Sequence, residues 1–522
     1  MSFAHAACLL ARFGGGCCFA AGSDVGAANK KLVADLKPAG FFRFFAEIAD
    51  VPRRSGRCGA MAEYLERFAG ERGLDCRRDP AGNVVIGKRA QGTASRTTVI
   101  LQAHQDMVCA AEPGKAHDFA ADPIAFRLDG DWLGADGTTL GADDGAGMAA
   151  ILAVLDDASL VHPALEALFT VDEETTMAGA LAVRAGDLRG GVLVNLDSEE
   201  YGVAYVSSAA GVVYDFVVPV AREAASAPPS AVRRLVVGGL KGGHSGAGIN
   251  QGLANAFVLL ARVVEDAAAR FGAGVCDFGN GPARGADNAI PPRAEAVLAL
   301  ASEADAAALE RLASEWRAVF RREYRASDPD AEVAVEAADK PAAPPITAES
   351  RDRLLAAIRL MPLGVVRHVQ DADMAEKPYG EIPVETSNNL GVIELREEEA
   401  LLRPMARGSV HTRLEEVDGG LRILAALVGG ELRALNRFPG WEMAHPPGRI
   451  QRFFIEEGWK LAGVHAGLEC GVLVDAMRAE GRELDAISVG PDVRDGHTPR
   501  ERLGVASVGK FWNDLVRVLA KL

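Results

Sequence analysis

Apolar residues recur at helical spacing in PAGFFRFFAEIADV, from Pro38, and again in GAMAEYLERFAGERGL, so the pattern predicts two amphipathic helices, the second ending near Gly73. The spacing then tightens into short continuous apolar runs. NVVIGK follows a DPAG turn, and TTVILQAHQDMV, ALEALFTVDEE and GGVLVNLDSEE come next. Runs this short and this rich in Val, Ile and Leu read as buried strands. The helix GMAAILAVLDD separates two of them. Strands alternating with helices predict an α/β sheet. The last three runs end in polar or acidic residues, as expected if ligands bind outside the carboxyl ends of the strands.

Beyond about residue 208 the character changes. VVYDFVVPVAREA, AVRRLVVGGLKGG, AEAVLALAS, EVAVEAA and NNLGVIELREE are strand-like. They alternate with alanine-rich helices such as NAFVLLARVVEDAAARF and ADAAALERLASEWRAVFRREY, and with DRLLAAIRLMP. From RLEEVDGGLRILAALVGG to the C-terminus the sequence returns to the rhythm of the first block. The chain therefore divides into an N-terminal extension (1–35), a main domain in two pieces (36–210 and 410–522) and an inserted α/β domain (211–409). No internal repeat is visible.

At 522 residues the chain exceeds what one hydrophobic core usually supports, which agrees with two domains. The net charge of -16 repels polyanions and excludes nucleic acid as a partner. No charge-free apolar run of membrane-spanning length occurs, so no membrane partner is expected and the cytoplasm is the default location. The eight cysteines form no dense disulfide pattern, and Cys17-Cys18 lacks metal or redox spacing. The apolar patch in residues 1–32 is broken by Arg12 and a glycine triplet and reads as an extension rather than a signal peptide.

Five residues have the type and place of metal ligands: His104, Asp143, Glu174, Asp197 and, much later, His465. Zinc and similar ions take imidazole nitrogen and carboxylate oxygen, and paired ions need a bridging ligand and several terminal ones. His104 and Asp106 project from the same side of an extended strand end, so one can ligate while the other orients its ring. Glu173 and Glu174 are adjacent carboxylates that repel one another unless a cation or proton intervenes. One can hold metal while its neighbour takes a proton from water. Each has a plainer reading when taken singly: a polar strand terminus, a solvated acidic loop, a cap, or (for His465) a hydrogen-bonded core histidine. GADDGAG is acidic and lacks Gly-Lys-Ser/Thr, which argues against a phosphate loop.

Ten motifs then follow one another in order: LQAHQDMV (101–108), TTLGADDGAGMA (138–149), LFTVDEET (168–175), NLDSEE (195–200), GGHSG (242–246), NAIPPR (288–293), ETSNNLG (385–391), PGWE (439–442), HAGLECG (465–471) and GPDVRDGHTP (490–499). Through them the chain, from about residue 36 onward, resembles the M20 metallopeptidases, in their aminoacyl-histidine dipeptidase branch. The resemblance implies a mixed-sheet catalytic domain with an inserted α/β lid, and two divalent ions, Zn2+ first with Mn2+ or Co2+ as alternatives. It implies that His104 and Asp197 bind one ion, Glu174 and His465 the other, and Asp143 both. Asp106 would hold the His104 ring and Glu173 would be the general base. His244, from the lid, would stabilise the tetrahedral intermediate. Asn288 and Arg293 would grip the substrate carboxylate or the oxyanion, and His497 would be a further active-site donor. The implied substrates are dipeptides, Xaa-His types included, and a homodimer is allowed.

The sequence departs from the family at SSAAG (207–211), where a GCAGG-like stretch is usual, and at NAIPPR, which has one proline more. Both bear on the substrate pocket rather than on the metals. An aminoacylase or carboxypeptidase of the same superfamily is the alternative enzyme. A non-catalytic metal-binding homologue is disfavoured, because the base and all five ligand positions hold competent residues.

Overall fold

The computed structural model describes residues 24–223, 231–281, 285–338, 341, 343–368, 384–444 and 446–522. Cys17-Cys18 and most of the expected extension lie outside the described residues. The extension ends earlier than residue 35, however. The helix Asp24–Leu32 is already tied to the main domain through buried Asn29, whose amide donates to Ile124 O (2.8 Å) and accepts from Phe126 N (2.9 Å).

The main domain is built on an eight-stranded mixed sheet. Its order is Asp75–Arg78, Val84–Lys88, Ala164–Thr170, Thr98–His104, Val192–Asn195, Asp485–Ser488, Val203–Ser208, Lys460–Val464. The central strands run parallel, and Asp485–Ser488 from the far end of the sequence pairs with Val192–Asn195. Strands from distant parts of the chain thus share one sheet. Thr98–His104 is buried from Val99 to its end, because helices cover both faces of the parallel sheet. The helix Ala142–Asp156 has apolar or small residues all round and is buried throughout from Asp144 to Leu155. The helix Ala39–Ala49 lies against it and buries Phe41, Phe42, Phe44 and Phe45.

The inserted domain has its own core and its own sheet of nine strands. That sheet contains a repeat that the sequence does not display. Ala231–Gly238, helix Ala256–Phe271, Gly274–Gly279, Ala294–Leu300, helix Glu303–Glu323 and Glu332–Ala337 form one βαββαβ unit with strand order 2-3-1-4. Ala210–Pro219, helix Ala348–Leu360, Val384–Leu395, Glu399–Gly408, helix His411–Leu427 and Glu431–Phe438 form a second unit with the same order. The two meet where the second strand of each pairs, at Gly279 and Glu394. The first unit is threaded between the first strand and first helix of the second, so the repeat is interleaved rather than tandem.

This corrects one boundary. The inserted domain does not end at 409. The helix His411–Leu427 buries Leu414, Val417, Leu421 and Leu424 in the lid core, and Glu431–Phe438 pairs antiparallel with Ala210–Pro219. The chain re-enters the main domain only after 438. The two crossings run side by side, with Ser208 and Trp441 exchanging both backbone hydrogen bonds at 2.9 and 3.0 Å. No helix among the described residues is long and apolar enough to cross a membrane.

Candidate metal centre

The centre forms at the carboxyl ends of the parallel strands. His104 ends Thr98–His104 and is fully buried. Its Nε2 lies 2.9 Å from Asp143 Oδ1 and 3.6 Å from Asp197 Oδ1. Its Nδ1 faces Asp106, 3.2 Å from the backbone oxygen and 3.5 Å from Oδ1. Asp106 also accepts from Glu173 N, Glu174 N and Ser55 Oγ at 3.1, 3.3 and 2.8 Å. One buried carboxylate therefore orients the histidine and fixes the turn that carries both glutamates. Burial alone would raise the Asp106 carboxyl, but the hydrogen bonds and charge of His104, with Ser55 and the Glu173 amide, hold it below the ordinary range.

Two triads of ligand-type atoms share His104, one with Asp143 and Glu174 and one with Asp144 and Asp197, all within 4.8 Å of one another. Asp144 is buried and accepts from His104 N at 3.2 Å and Gly147 N at 2.9 Å. Burial, then the neighbouring Asp197 and Asp143, push its carboxyl well up. Burial likewise drives Asp197 up to about 7, against the pull of His104. Burial also raises Glu173 well above the usual value, with Asp197, Glu469 and Asp143 adding to it. Glu174 Oε1 is buried without a hydrogen-bond partner. A crowd of buried carboxylates with an unpartnered oxygen is an arrangement that cations stabilise, and imidazole with carboxylate is the donor set that divalent transition metals take. The residues fit such ions.

The structure differs from the expectation at two positions. His465 does not join the cluster. It follows Lys460–Val464, the last strand of the sheet, four positions from Thr98–His104, which is on the order of 19 Å across the sheet at about 4.8 Å per strand. Its Nε2 instead meets Ser387 Oγ of the lid at 2.8 Å. Burial, then Arg407 and His244, lower it to about 3, so the ring is neutral. His497 stands where a second histidine was expected, its Nε2 3.0 Å from Asp143 Oδ2 and 3.0 Å from Glu174 Oε2. Its hydrogen bonds to those carboxylates raise it to about 11. It sits at φ 63° in the loop between Val493–Arg494 and Arg502–Gly504, strands held against Trp132–Ala135.

The second difference concerns the substrate-side cation. Arg293 points its Nη2 at Glu295 Oε2 (3.3 Å). Asn288 is exposed, and its backbone oxygen accepts from Ser245 N at 2.8 Å. Arg407, in Glu399–Gly408, is only 4% exposed and has no acidic partner among the described residues. Its one side-chain hydrogen bond goes to Met405 Sδ, its Nε has none, and burial lowers it to about 10. The signal for it in the sequence is an arginine in the otherwise apolar strand end PMARG. His244 is exposed on the lid, and its Nδ1 accepts from Gly246 N and Ala247 N at 3.2 and 3.1 Å. The proton is thereby placed on Nε2, free to be donated. The lid loop comes close to His465: a Cβ on Gly246 would lie 2.3 Å from His465 O.

No protein-family model matches the chain. It is 34% identical over 500 residues to the cytosol non-specific dipeptidase of Escherichia coli, covering 94% of this chain and 99% of that one. The chain belongs to the M20 metallopeptidases. Within them it falls in the aminoacylhistidine dipeptidase branch and is a peptide hydrolase of the dipeptidase class. The aminoacylhistidine dipeptidase of Vibrio alginolyticus superposes with a TM-score of 0.80 at 33% identity, over 94% of this chain and 98% of that one. An aminopeptidase PepT from Bacillus cereus, at 15% identity and a TM-score of 0.55, shares the fold over 93% of this chain and 99% of its own.

Proposed function

We propose that this chain is a cytoplasmic dipeptidase that acts with two divalent cations on free dipeptides, Xaa-His types included, with Zn2+ as the native metal. The observation that carries the reading is the five-residue cluster of His104, Asp143, Glu174, Asp197 and His497 next to a free glutamate, Glu173. His104 and Asp197 would hold one ion, Glu174 and His497 the other, with Asp143 between them. Bound cations supply the positive charge that acidifies water and polarises a peptide carbonyl.

The protein's own groups do the rest. Glu173 takes a proton from the attacking water and returns it to the leaving amine. His244 donates from Nε2 to the oxygen on which charge develops. Arg407 receives the substrate's terminal carboxylate, which answers its lack of an anionic partner. A fixed carboxylate anchor on the lid would limit length and favour dipeptides over longer peptides. Asp106 keeps the His104 ring in place through the whole cycle.

Purified protein loaded with Zn2+, Mn2+ or Co2+ is expected to release free amino acids from a broad dipeptide panel that includes β-Ala-His, and to leave N-acetyl amino acids intact. Release from N-acetyl amino acids without dipeptide cleavage would move the chain to the aminoacylases.

A further inference from the structure

One buried carboxylate lies under the centre with no part in the chemistry so far. Glu501, four residues after His497, is 3% exposed and has no basic partner among the described residues. It is bound only by backbone. Its Oε2 accepts from Leu140 N and Gly141 N at 2.9 and 3.0 Å, and its Oε1 from Ala142 N and Asp143 N at 2.6 and 3.2 Å. Four successive amides thus converge on one side chain, the last belonging to Asp143 itself.

The same turn is fixed from its other face. Arg53, also 3% exposed, donates Nη1 to Gln105 O and Asp106 O (3.1 and 2.6 Å) and Nη2 to Gly141 O. Gly141 has φ 69°, and a Cβ there would lie 2.4 Å from Arg53 Nη2, so the turn has no room for another residue. Burying a full charge is costly unless hydrogen bonds replace its water; here four backbone amides replace part of it, while burial, with Asp143 adding, still holds the carboxyl above its ordinary range. Glu501 also rides on the same hairpin as His497, and Glu501 N accepts its place in that loop by donating to Thr498 O at 3.0 Å.

We infer that Glu501 is a positioning residue that sets the distance between Asp143 and His497, and so makes the two-cation geometry of the proposed function. The inference rests on that reading. The plain alternative is a helix cap for Ala142–Asp156, which would affect stability and not metal binding.

The test is a Co2+ titration of the full-length apoprotein, followed by visible absorption and by heat, for the parent and for Glu501→Gln, which keeps the shape and puts an amide N–H against the backbone donors. The parent is expected to bind two ions. The variant is expected to bind the first as the parent does and the second about 10- to 100-fold more weakly, the usual cost of losing an outer-shell partner. Activity should then return as Co2+ is raised. Two ions bound with parental affinities, together with an equal loss of Tm in the apo and loaded forms, would assign Glu501 to helix capping and overturn the inference. A parent that binds fewer than two ions overturns the two-cation reading instead. Should Glu501→Gln not fold, Glu501→Asp keeps the charge but shortens its reach, and the same titration decides.

Discussion

Replacing Arg407 by methionine should make the protein more stable and the enzyme much worse. The guanidinium is 4% exposed and faces no carboxylate among the described residues. Its fall from 12.5 to about 10 by burial corresponds to roughly 3 kcal/mol that the folded, substrate-free protein carries at neutral pH to keep the charge inside. Methionine fills similar volume with no charge to bury, so the apoprotein should gain up to that amount, less whatever packing is lost. A bound dipeptide turns the same cation into a buried ion pair. Breaking such a pair by removing one partner costs about 3–5 kcal/mol, or about 10²–10⁴-fold in kcat/KM. The assay compares a free dipeptide with its C-terminal amide in the parent and in Arg407→Met, alongside Tm. The variant should lose that factor on the free dipeptide and change little on the amide, which has no carboxylate to lose. Equal losses on both substrates, or none on either, would refute the assignment of Arg407 to the carboxylate.

Further outcomes follow from the geometry. His497→Ala should reduce bound metal from two ions to one by elemental analysis, whereas His465→Ala should retain both and raise KM. Glu173→Gln should keep both ions and lose about 10²–10⁴-fold in kcat, the range for removing a general base. Gly246→Ala should lower kcat/KM with metal content unchanged, because its Cβ would meet His465 O at 2.3 Å and hold the lid loop off the main domain. Asp156, although partly buried, is held below the ordinary carboxylate range by Arg43 and Arg72, so its stabilisation is present above the unfolded-state value and is lost as pH falls through the lower folded value. Asp156→Asn should therefore lower Tm at neutral pH, and the gap to the parent should close on acidification.

What the sequence makes legible, and what it hides, divides along one physical line. Local periodicity locates elements. The helices Ala39–Ala49 and Gly59–Glu71 and the strands Thr98–His104, Ala164–Thr170 and Val192–Asn195 all fall where apolar spacing predicts them. Four of the five clustered residues were visible for the same reason: they lie at or just past the ends of buried strands, or at the start of the helix between two of them. Periodicity carries no information about strand order, and order decides the fifth. His465 and His497 both follow apolar runs near the C-terminus. Only the sheet order puts Lys460–Val464 at the far edge, and only the pairing of Arg502–Gly504 with Trp132–Ala135 folds His497 back over Asp143.

The lid boundary fails in the same way. RLEEVDGGLRILAALVGG has the spacing of a helix in either domain, and what assigns it to the lid is the pairing of Glu431–Phe438 with Ala210–Pro219, more than 200 residues upstream. Interleaving of the two βαββαβ units has a mechanical consequence. The strand Ala210–Pro219 leaves the main domain at Ser208, and Glu431–Phe438 returns to it at Trp441 as its hydrogen-bonded neighbour, so the lid is joined to the main domain through one paired hinge rather than two separate linkers. His244 comes from the first unit, while Ser387 and Arg407 come from the second. Because the units share a continuous sheet, a rotation at the hinge must carry all three together. On the proposed reading, a rotation there would bring the carboxylate anchor and the oxyanion donor toward the metal centre together, and would couple carboxylate binding at Arg407 to delivery of the His244 proton.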